Sequence, residues 1–307
     1  MINDLSAPAP SAGVDPHLTA EPSDYAALLK PRVMSLSVFT ALVGMVAAPG
    51  QIGNWGLAIL SMIAIALGAG ASAALNMWWD ADIDGRMSRT AKRPIPQGKV
   101  PAAEAFGLGI VLSALSVWLL ALSGGYLAAM LLAVTIGFYV LVYSMLLKRR
   151  TPQNIVIGGA AGALPPVVGY AAVTGQASLE AWALFGLIFL WTPPHFWALS
   201  LLKKADYEAA GIPMLPNVAG DEATHRQIVL YTVILVALAP ALALLPIAGL
   251  FYVGASIILG AEFLRRALLL KKEPTTRLAG GLFAYSIFYL FAVFLVILME
   301  HWVGLHG

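Results

Sequence analysis

An all-α integral membrane protein with nine transmembrane helices is the fold this sequence predicts, and three observations predict it. Of 307 residues, 60% are hydrophobic and only 11% charged, with a mean hydropathy of +0.82; an ordinary soluble domain carries about 25% charge. The apolar stretches run to roughly 20 residues almost without charge, the length of a helix crossing hydrocarbon rather than the roughly ten-residue alternating strand of a barrel. All 18 Lys and Arg fall on one side of the map those stretches define. The chain has no cysteine, which excludes disulfides, thiolate metal sites and cysteine nucleophiles.

Residues 1–23 are rich in Pro, Ala and Ser, carry no Lys or Arg and have no continuous apolar core. They read as neither a signal nor a transit peptide but as a disordered cytoplasmic tail, leaving 24–307 as a single transmembrane domain. A short helix is expected from Asp24 to Lys30, with Ser23 as its N-cap and Pro31 opening the first span. The nine spans are expected near 33–49, 56–80, 102–121, 126–146, 154–173, 180–201, 227–246, 248–268 and 279–300, with Pro240 and Pro246 interrupting the seventh-to-eighth region. Lys30 and Arg32 precede the first span. Every other Lys and Arg lies between spans two and three, four and five, six and seven, or from the end of eight to nine. By the positive-inside rule the N-terminus is cytoplasmic and the C-terminus lies on the opposite face. Gly68, Gly70 and Ser72 in span two, and Gly158, Gly159 and Gly162 in span five, are small-residue stripes suited to close helix packing.

Three clusters carry chemistry. The first is Asn76, Asp80 and Asp84. Four-residue steps keep all three on one helix face, drifting about 40° per step, and acids at a membrane boundary are costly unless a cation or wet cavity receives them. Carboxylate and amide oxygens suit a hard divalent cation such as Mg²⁺, which shares its remaining positions with substrate phosphates. Arg86, Arg89, Lys92 and Arg93 follow in the next loop, so a metal diphosphate can be held from two sides; the plainer alternative is simple pairing of these acids with the basic loop. The second cluster runs from Tyr143 to Asn154 and offers Tyr143 and Lys148 to phosphate oxygens, or serves only as a topogenic basic end. The third is Thr192-Pro193-Pro194-His195-Phe196-Trp197. The double proline is expected to break span six, and His195 is the sole histidine within a span, open to a ligand, proton-transfer or purely structural role. Asp206 and Glu208 follow in the next loop, as metal or water contacts or as ordinary loop charges. No Walker loop, nucleotide-binding glycine fingerprint or serine triad is present.

Asn76-x-x-x-Asp80-x-x-x-Asp84 before a basic loop resembles the first aspartate-rich motif of the UbiA superfamily of intramembrane prenyltransferases. Further stretches are similar to the branch of that superfamily that farnesylates protohaem IX: Leu29-Lys30-Pro31-Arg32-Val33, Met87-Ser88-Arg89-Thr90 with Arg93-Pro94, Lys148 to Gly159, Thr192 to Trp197, and Asp206-Tyr207 with Gly211 to Pro216. Together they span roughly 29–300. The resemblance implies nine helices around a central cavity, Mg²⁺ as cofactor, farnesyl diphosphate and haem b as substrates, and haem O as product. It implies metal binding by Asp80 and Asp84 with Asn76 and Asp206, leaving-group contacts from Arg89, Arg93, Lys148 and Tyr143, and a role for His195 in orienting haem or water. It also implies the cytoplasmic (inner) membrane with the site facing the cytoplasm, a downstream haem A synthase or terminal oxidase assembly as partner, and no nucleic acid. Two departures stand out. Position 210 is Ala where the superfamily commonly has a second Asp, and Lys148 follows Tyr143 by five residues rather than four. The competing readings are a prenyltransferase acting on a quinone precursor such as 4-hydroxybenzoate and, from another class, a secondary transporter.

Overall fold

The computed structural model describes residues 20–50 and 52–305, so most of the 1–23 tail lies outside the described residues. Among those residues the chain is helical, with no strand. Helix α1 (Pro22–Leu28) starts before the expected Ser23 cap: Glu21 is the N-cap, and its backbone N–H donates to Asp24 at 3.1 Å. Lys30 turns the chain by 51° into α2 (Pro31–Val46). Its φ of 50° and ψ of 55° make it the one non-glycine residue with positive φ among those described. Helix α3 (Trp55–Trp79) is capped by Asn54, whose side chain accepts from Leu57 N at 3.2 Å, and α4 (Ala81–Asp84) is a single turn beyond it.

Helix α5 (Ala102–Gly137) runs directly into a π-helical segment, Phe138–Leu147. At 46 residues the pair would extend roughly 69 Å if straight, more than twice the ~30 Å hydrocarbon core. Gly125, at φ 84° and ψ 170°, is where the α-helical path is interrupted, a conformation that only glycine adopts without strain. Then come α6 (Asn154–Ala163), α7 (Pro165–Thr174), α8 (Leu179–Leu202), α9 (Lys204–Ala209), α10 (Leu215–Val218) and α11 (Gly220–Leu238). A 3₁₀ segment at Ala239–Leu244 carries Pro240 before α12 (Leu250–Lys272) and α13 (Thr276–Trp302). Helices thus lie on each of the nine expected stretches. Among the described residues, six helical runs are long and apolar enough to cross a membrane, seven if the bent α1–α2 pair counts as one span.

The expected break at Pro193-Pro194 is corrected: α8 runs unbroken through both prolines. Two missing N–H donors weaken a helix, but here both prolines are buried. Cross-helix and local bonds hold the flanks, Trp191 Nε1 to Ser286 O of α13 at 2.7 Å and Thr192 Oγ1 to Ile188 O at 2.8 Å. Of the small-residue stripes, Gly68 faces Leu132, Gly158 faces Tyr143 and Gly159 faces Thr192, whereas Gly162 faces open space. The tightest approach is elsewhere. Gly44 of α2 lies against the Pro166 carbonyl of α7, and Gly169 of α7 against the Ala41 carbonyl of α2, so a Cβ at either would sit about 2 Å from backbone oxygen.

Two large apolar cores result, one around Leu184, Trp197, Tyr252, Phe263, Tyr289 and Phe294, the other around Leu120, Leu132, Val167 and Tyr170. A smaller cluster of Ile83, Met87, Ile155, Tyr207, Ala210, Ile212 and Met214 joins the loops at the Lys/Arg-bearing end. Large apolar side chains face outward along the helices, with Trp55, Tyr126, Phe251 and Trp302 at the opposite end. Such a surface suits lipid, and aromatic side chains favour the membrane interface.

Candidate active site

Asp80 is the C-cap of α3 and Asp84 ends α4, so the expected single helix through all three residues is divided at Asp80. The four-residue step survives the division: Asp80 N donates to Asn76 O at 3.0 Å, and Asp84 N to Asp80 O at 2.8 Å. Both carboxylates are completely buried. Asp80 Oδ2 accepts from Asn76 Nδ2 at 2.7 Å and from Lys148 Nζ. Asp84 Oδ2 accepts from Arg93. In each carboxylate the other oxygen, Asp80 Oδ1 and Asp84 Oδ1, is buried without a hydrogen-bond partner. Arg149 approaches Asp80 Oδ1 only to 3.6 Å.

The basic side of the site is assembled from three segments. Lys148 caps the π-helix, where its backbone N–H donates to Tyr143 O at 2.8 Å and closes a five-residue turn. The five-residue spacing is therefore one helical turn here, and the extra residue relative to the superfamily pattern is absorbed by the helix type. Gly158 has no Cβ because the Tyr143 ring occupies that place, 2.2 Å from where one would be. Tyr143 also packs on Tyr139, their centroids 5.3 Å apart. Arg89 is solvent-exposed and forms no ion pair among the described residues. Arg149 grips Asp82 through two 2.7 Å bonds, donates to Trp79 O at 3.0 Å and lies 5.7 Å over the Trp79 ring. Burial pushes the Asp82 carboxyl up, but the Arg149 guanidinium outweighs it and holds it below the usual carboxylate range.

Lys30, to which the sequence assigns no role at the site, also reaches it. Its Nζ donates to Asn76 Oδ1 at 2.9 Å. The amide of Asn76 thus bridges a lysine and a carboxylate and also meets Ser144 Oγ at 3.1 Å. Two signals mark it in the sequence: Leu29-Lys30-Pro31-Arg32-Val33 is one of the stretches carrying the resemblance, and a residue before proline is pushed out of the α region.

Asp206 shares no hydrogen bond with Asp80 or Asp84. It accepts from Ser88 N at 3.3 Å and Ser88 Oγ at 2.9 Å, tying α9 to the loop after α4. Ala210, one turn on, is buried in the small loop cluster, so the missing second aspartate is replaced by packing. His195 lies on α8, where it stacks on Trp191 and Phe283 and meets Ser286 at 2.7 Å. No hydrogen bond links it to the carboxylates.

No group of three or more His, Asp or Glu able to hold a metal ion occurs among the described residues. Two carboxylates with one orphaned oxygen each still fit Mg²⁺, which is commonly held by one or two carboxylates with water and substrate phosphate completing its shell. Buried acids beside an arc of cations, in an apolar helical bundle, can hold a divalent cation and an anionic group side by side. Residues 37–293 match the UbiA prenyltransferase family.

The chain belongs to the UbiA prenyltransferase family. This UbiA-family chain is 54% identical over 313 residues to the protoheme IX farnesyltransferase of Methylorubrum extorquens, covering 99% of this chain and 97% of that one. It is 55% identical over 285 residues to protoheme IX farnesyltransferase 2 of Mesorhizobium japonicum, covering 92% and 90%. Its fold is similar to that of a digeranylgeranylglyceryl phosphate synthase, with a TM-score of 0.75 at 19% identity over 91% of this chain and 98% of that one. A UbiA homologue from Archaeoglobus fulgidus, solved with GPP and Mg²⁺, gives 0.64 at 19% identity over 89% and 100%.

Proposed function

We propose that this chain transfers the farnesyl group of farnesyl diphosphate to a vinyl group of haem b, with addition of water, giving haem O and diphosphate. The reaction class is carried by one observation, the fully buried Asp80–Asp84 pair with an unpartnered oxygen on each carboxylate, bracketed by Lys30, Lys148 and Arg93. The acceptor is supported by the near full-length similarity to proteins named protoheme IX farnesyltransferase.

Asp80 and Asp84 would hold Mg²⁺ through their free oxygens, with Asn76 orienting Asp80. A bound Mg²⁺ supplies charge that stabilises the departing diphosphate. Lys148, Arg93, Arg89 and Lys30 act in the same direction: as the allylic C–O bond breaks, its electron pair passes to the diphosphate oxygen, and nearby cations stabilise that charge most in the transition state. Tyr143 steadies the same group. The vinyl π-electrons then attack the farnesyl cation at its allylic carbon. The resulting porphyrin-conjugated cation takes up water and releases a proton, leaving a hydroxyethylfarnesyl group. The apolar bundle excludes water from the first cation, and His195 orients haem b. Asp206, through Ser88, holds the two cytoplasmic loops together over the site.

Nine membrane crossings follow if the bent α1–α2 pair and α12 each cross once and Ala102–Leu147 makes two passes hinged at Gly125. The N-terminus and the diphosphate site then face the cytoplasm, the C-terminus the other side, and the protein resides in the inner membrane. Its product passes to a haem A synthase or terminal oxidase assembly. The deciding experiment incubates membranes containing the protein with haem b, farnesyl diphosphate and Mg²⁺ and looks for haem O by mass, with a chelator control. Chelation is expected to stop turnover; product found only with 4-hydroxybenzoate, or none at all, would overturn the proposal.

A further inference from the structure

His195 is held on several sides. Its ring lies between Trp191, with centroids 4.3 Å apart and planes at 18°, and Phe283, at 4.7 Å and 23°, while Phe196 meets it edge-on at 5.3 Å. Its Nδ1 lies 2.7 Å from Ser286 Oγ. A serine hydroxyl has a single proton to give, and Ser286 gives it to the Phe283 carbonyl at 2.6 Å. Both contacts of Ser286 Oγ are satisfied together when it accepts from His195, with the ring proton on Nδ1. The lone pair is left on Nε2, which has no hydrogen-bond partner among the described residues. The backbone of Ser286 reinforces the arrangement by accepting from Trp191 Nε1 at 2.7 Å, so one residue of α13 fixes both the imidazole and the ring stacked on it.

We propose that Ser286 is a positioning residue that locks His195 in the Nδ1–H tautomer, so that Nε2 is presented as a neutral axial ligand to the iron of the haem acceptor. This rests on the reading of haem b as substrate. Metal-binding histidines commonly donate their second ring N–H to a fixed oxygen, which sets tautomer and orientation, and haem iron is commonly held by one such imidazole. A single axial histidine also suits a haem that must leave as product. If Ser286 served only as polar glue between α8 and α13, its hydroxyl would affect stability and leave the iron untouched.

The test titrates the purified full-length protein with haem b, without farnesyl diphosphate, and records the Soret band and the electron paramagnetic resonance spectrum. The wild type is expected to give a histidine-ligated spectrum that His195→Ala abolishes. Ser286→Ala should weaken haem affinity about 10–100-fold, the usual scale for loss of such a supporting bond, and change the spectrum. In turnover it should raise KM for haem b while leaving KM for farnesyl diphosphate unchanged. Ser286→Thr, which keeps the hydroxyl, should restore both. If Ser286→Ala fails to accumulate in membranes, Ser286→Cys, of similar size but a far weaker acceptor, carries the same expectation. Wild-type spectrum and haem affinity in the Ala or Cys variant, or haem O formation by a wild type that shows no histidine ligation, would overturn this inference and leave the proposed reaction standing. A wild type that makes no haem O removes the reading beneath it.

Discussion

A carboxylate with no solvent exposure costs several kcal/mol unless it is paired, and Asp80 is paired with Lys148 and, at 3.6 Å, with Arg149, while Asp84 is paired with Arg93. Pairing alone does not account for them, because Asp80 Oδ1 and Asp84 Oδ1 remain buried without a hydrogen bond. Asp80→Asn or Asp84→Asn keeps the shape while weakening the hold on a hard cation. Each is expected to lower farnesyl transfer by about 10²-fold or more, the scale on which a transition-state charge contact is lost, with protein still present in membranes; haem O at the wild-type rate in either variant would refute the metal assignment. Lys30 calls for a paired test because its backbone is strained. Lys30→Ala removes the ammonium and keeps the positive φ, whereas Lys30→Gly removes both the ammonium and a strain of about 1 kcal/mol. Similar increases in KM for farnesyl diphosphate, roughly tenfold in both, would place the effect at Nζ. At this scale the acid face was legible because a four-residue step is a property of local sequence. The ammonium of Lys30 was not, since only the bend between α1 and α2 carries it to Asn76, nor was the Ser88–Asp206 contact, which joins residues 118 positions apart.

Helix type matters as much as helix position. Hydropathy placed a span on 126–146 but cannot separate an α-helix from a π-helix, because both bury an apolar stretch of the same composition; the difference lies in whether an N–H reaches four or five residues back. That one residue decides whether Lys148 lies a turn from Tyr143. Deleting Leu141, which is 56% exposed, should let Phe138–Leu147 relax to an α-helix and displace Lys148 by part of a turn. Turnover is expected to fall by at least tenfold while the protein still inserts, and unchanged activity would show that the π geometry is dispensable. Gly158→Ala tests the same element from its neighbour, because the added methyl meets the Tyr143 ring. Overpacking of this kind costs about 1–3 kcal/mol and should appear as a lower midpoint of thermal unfolding together with weaker diphosphate binding. The double proline misled in the opposite direction: Pro193-Pro194 carries a strong local signal against helix, and burial between α6, α11 and α13 overrode it.

At the scale of the whole molecule, hydropathy and charge segregation were enough to anticipate where the helices lie, because burial in lipid constrains segment length and composition more tightly than burial in a soluble core. Which helices touch was not readable, since the glycines that set the closest contact, Gly44 and Gly169, sit singly in α2 and α7 and not in an obvious stripe. Sidedness can be tested directly because the chain is free of cysteine. Single-cysteine variants at the exposed positions Arg150 and Lys272, on the Lys/Arg-bearing side, and at Gln176 and Leu305, on the other, can be treated with a membrane-impermeant thiol reagent. In right-side-out vesicles only Gln176→Cys and Leu305→Cys are expected to react, and in inverted vesicles only Arg150→Cys and Lys272→Cys. A chain that passed Ala102–Leu147 through the membrane once would break this pattern, because every loop after Gly125 would change side and the Arg150 and Lys272 positions would label with the outer reagent. The Asn76–Asp84 face would then be split from its own cations, since Lys148 follows Ala102–Leu147 and Lys30 precedes it, yet Lys148 binds Asp80 and Lys30 binds Asn76 one turn away. Two passes hinged at Gly125 are the arrangement that lets the positive-inside distribution and this shared network hold together.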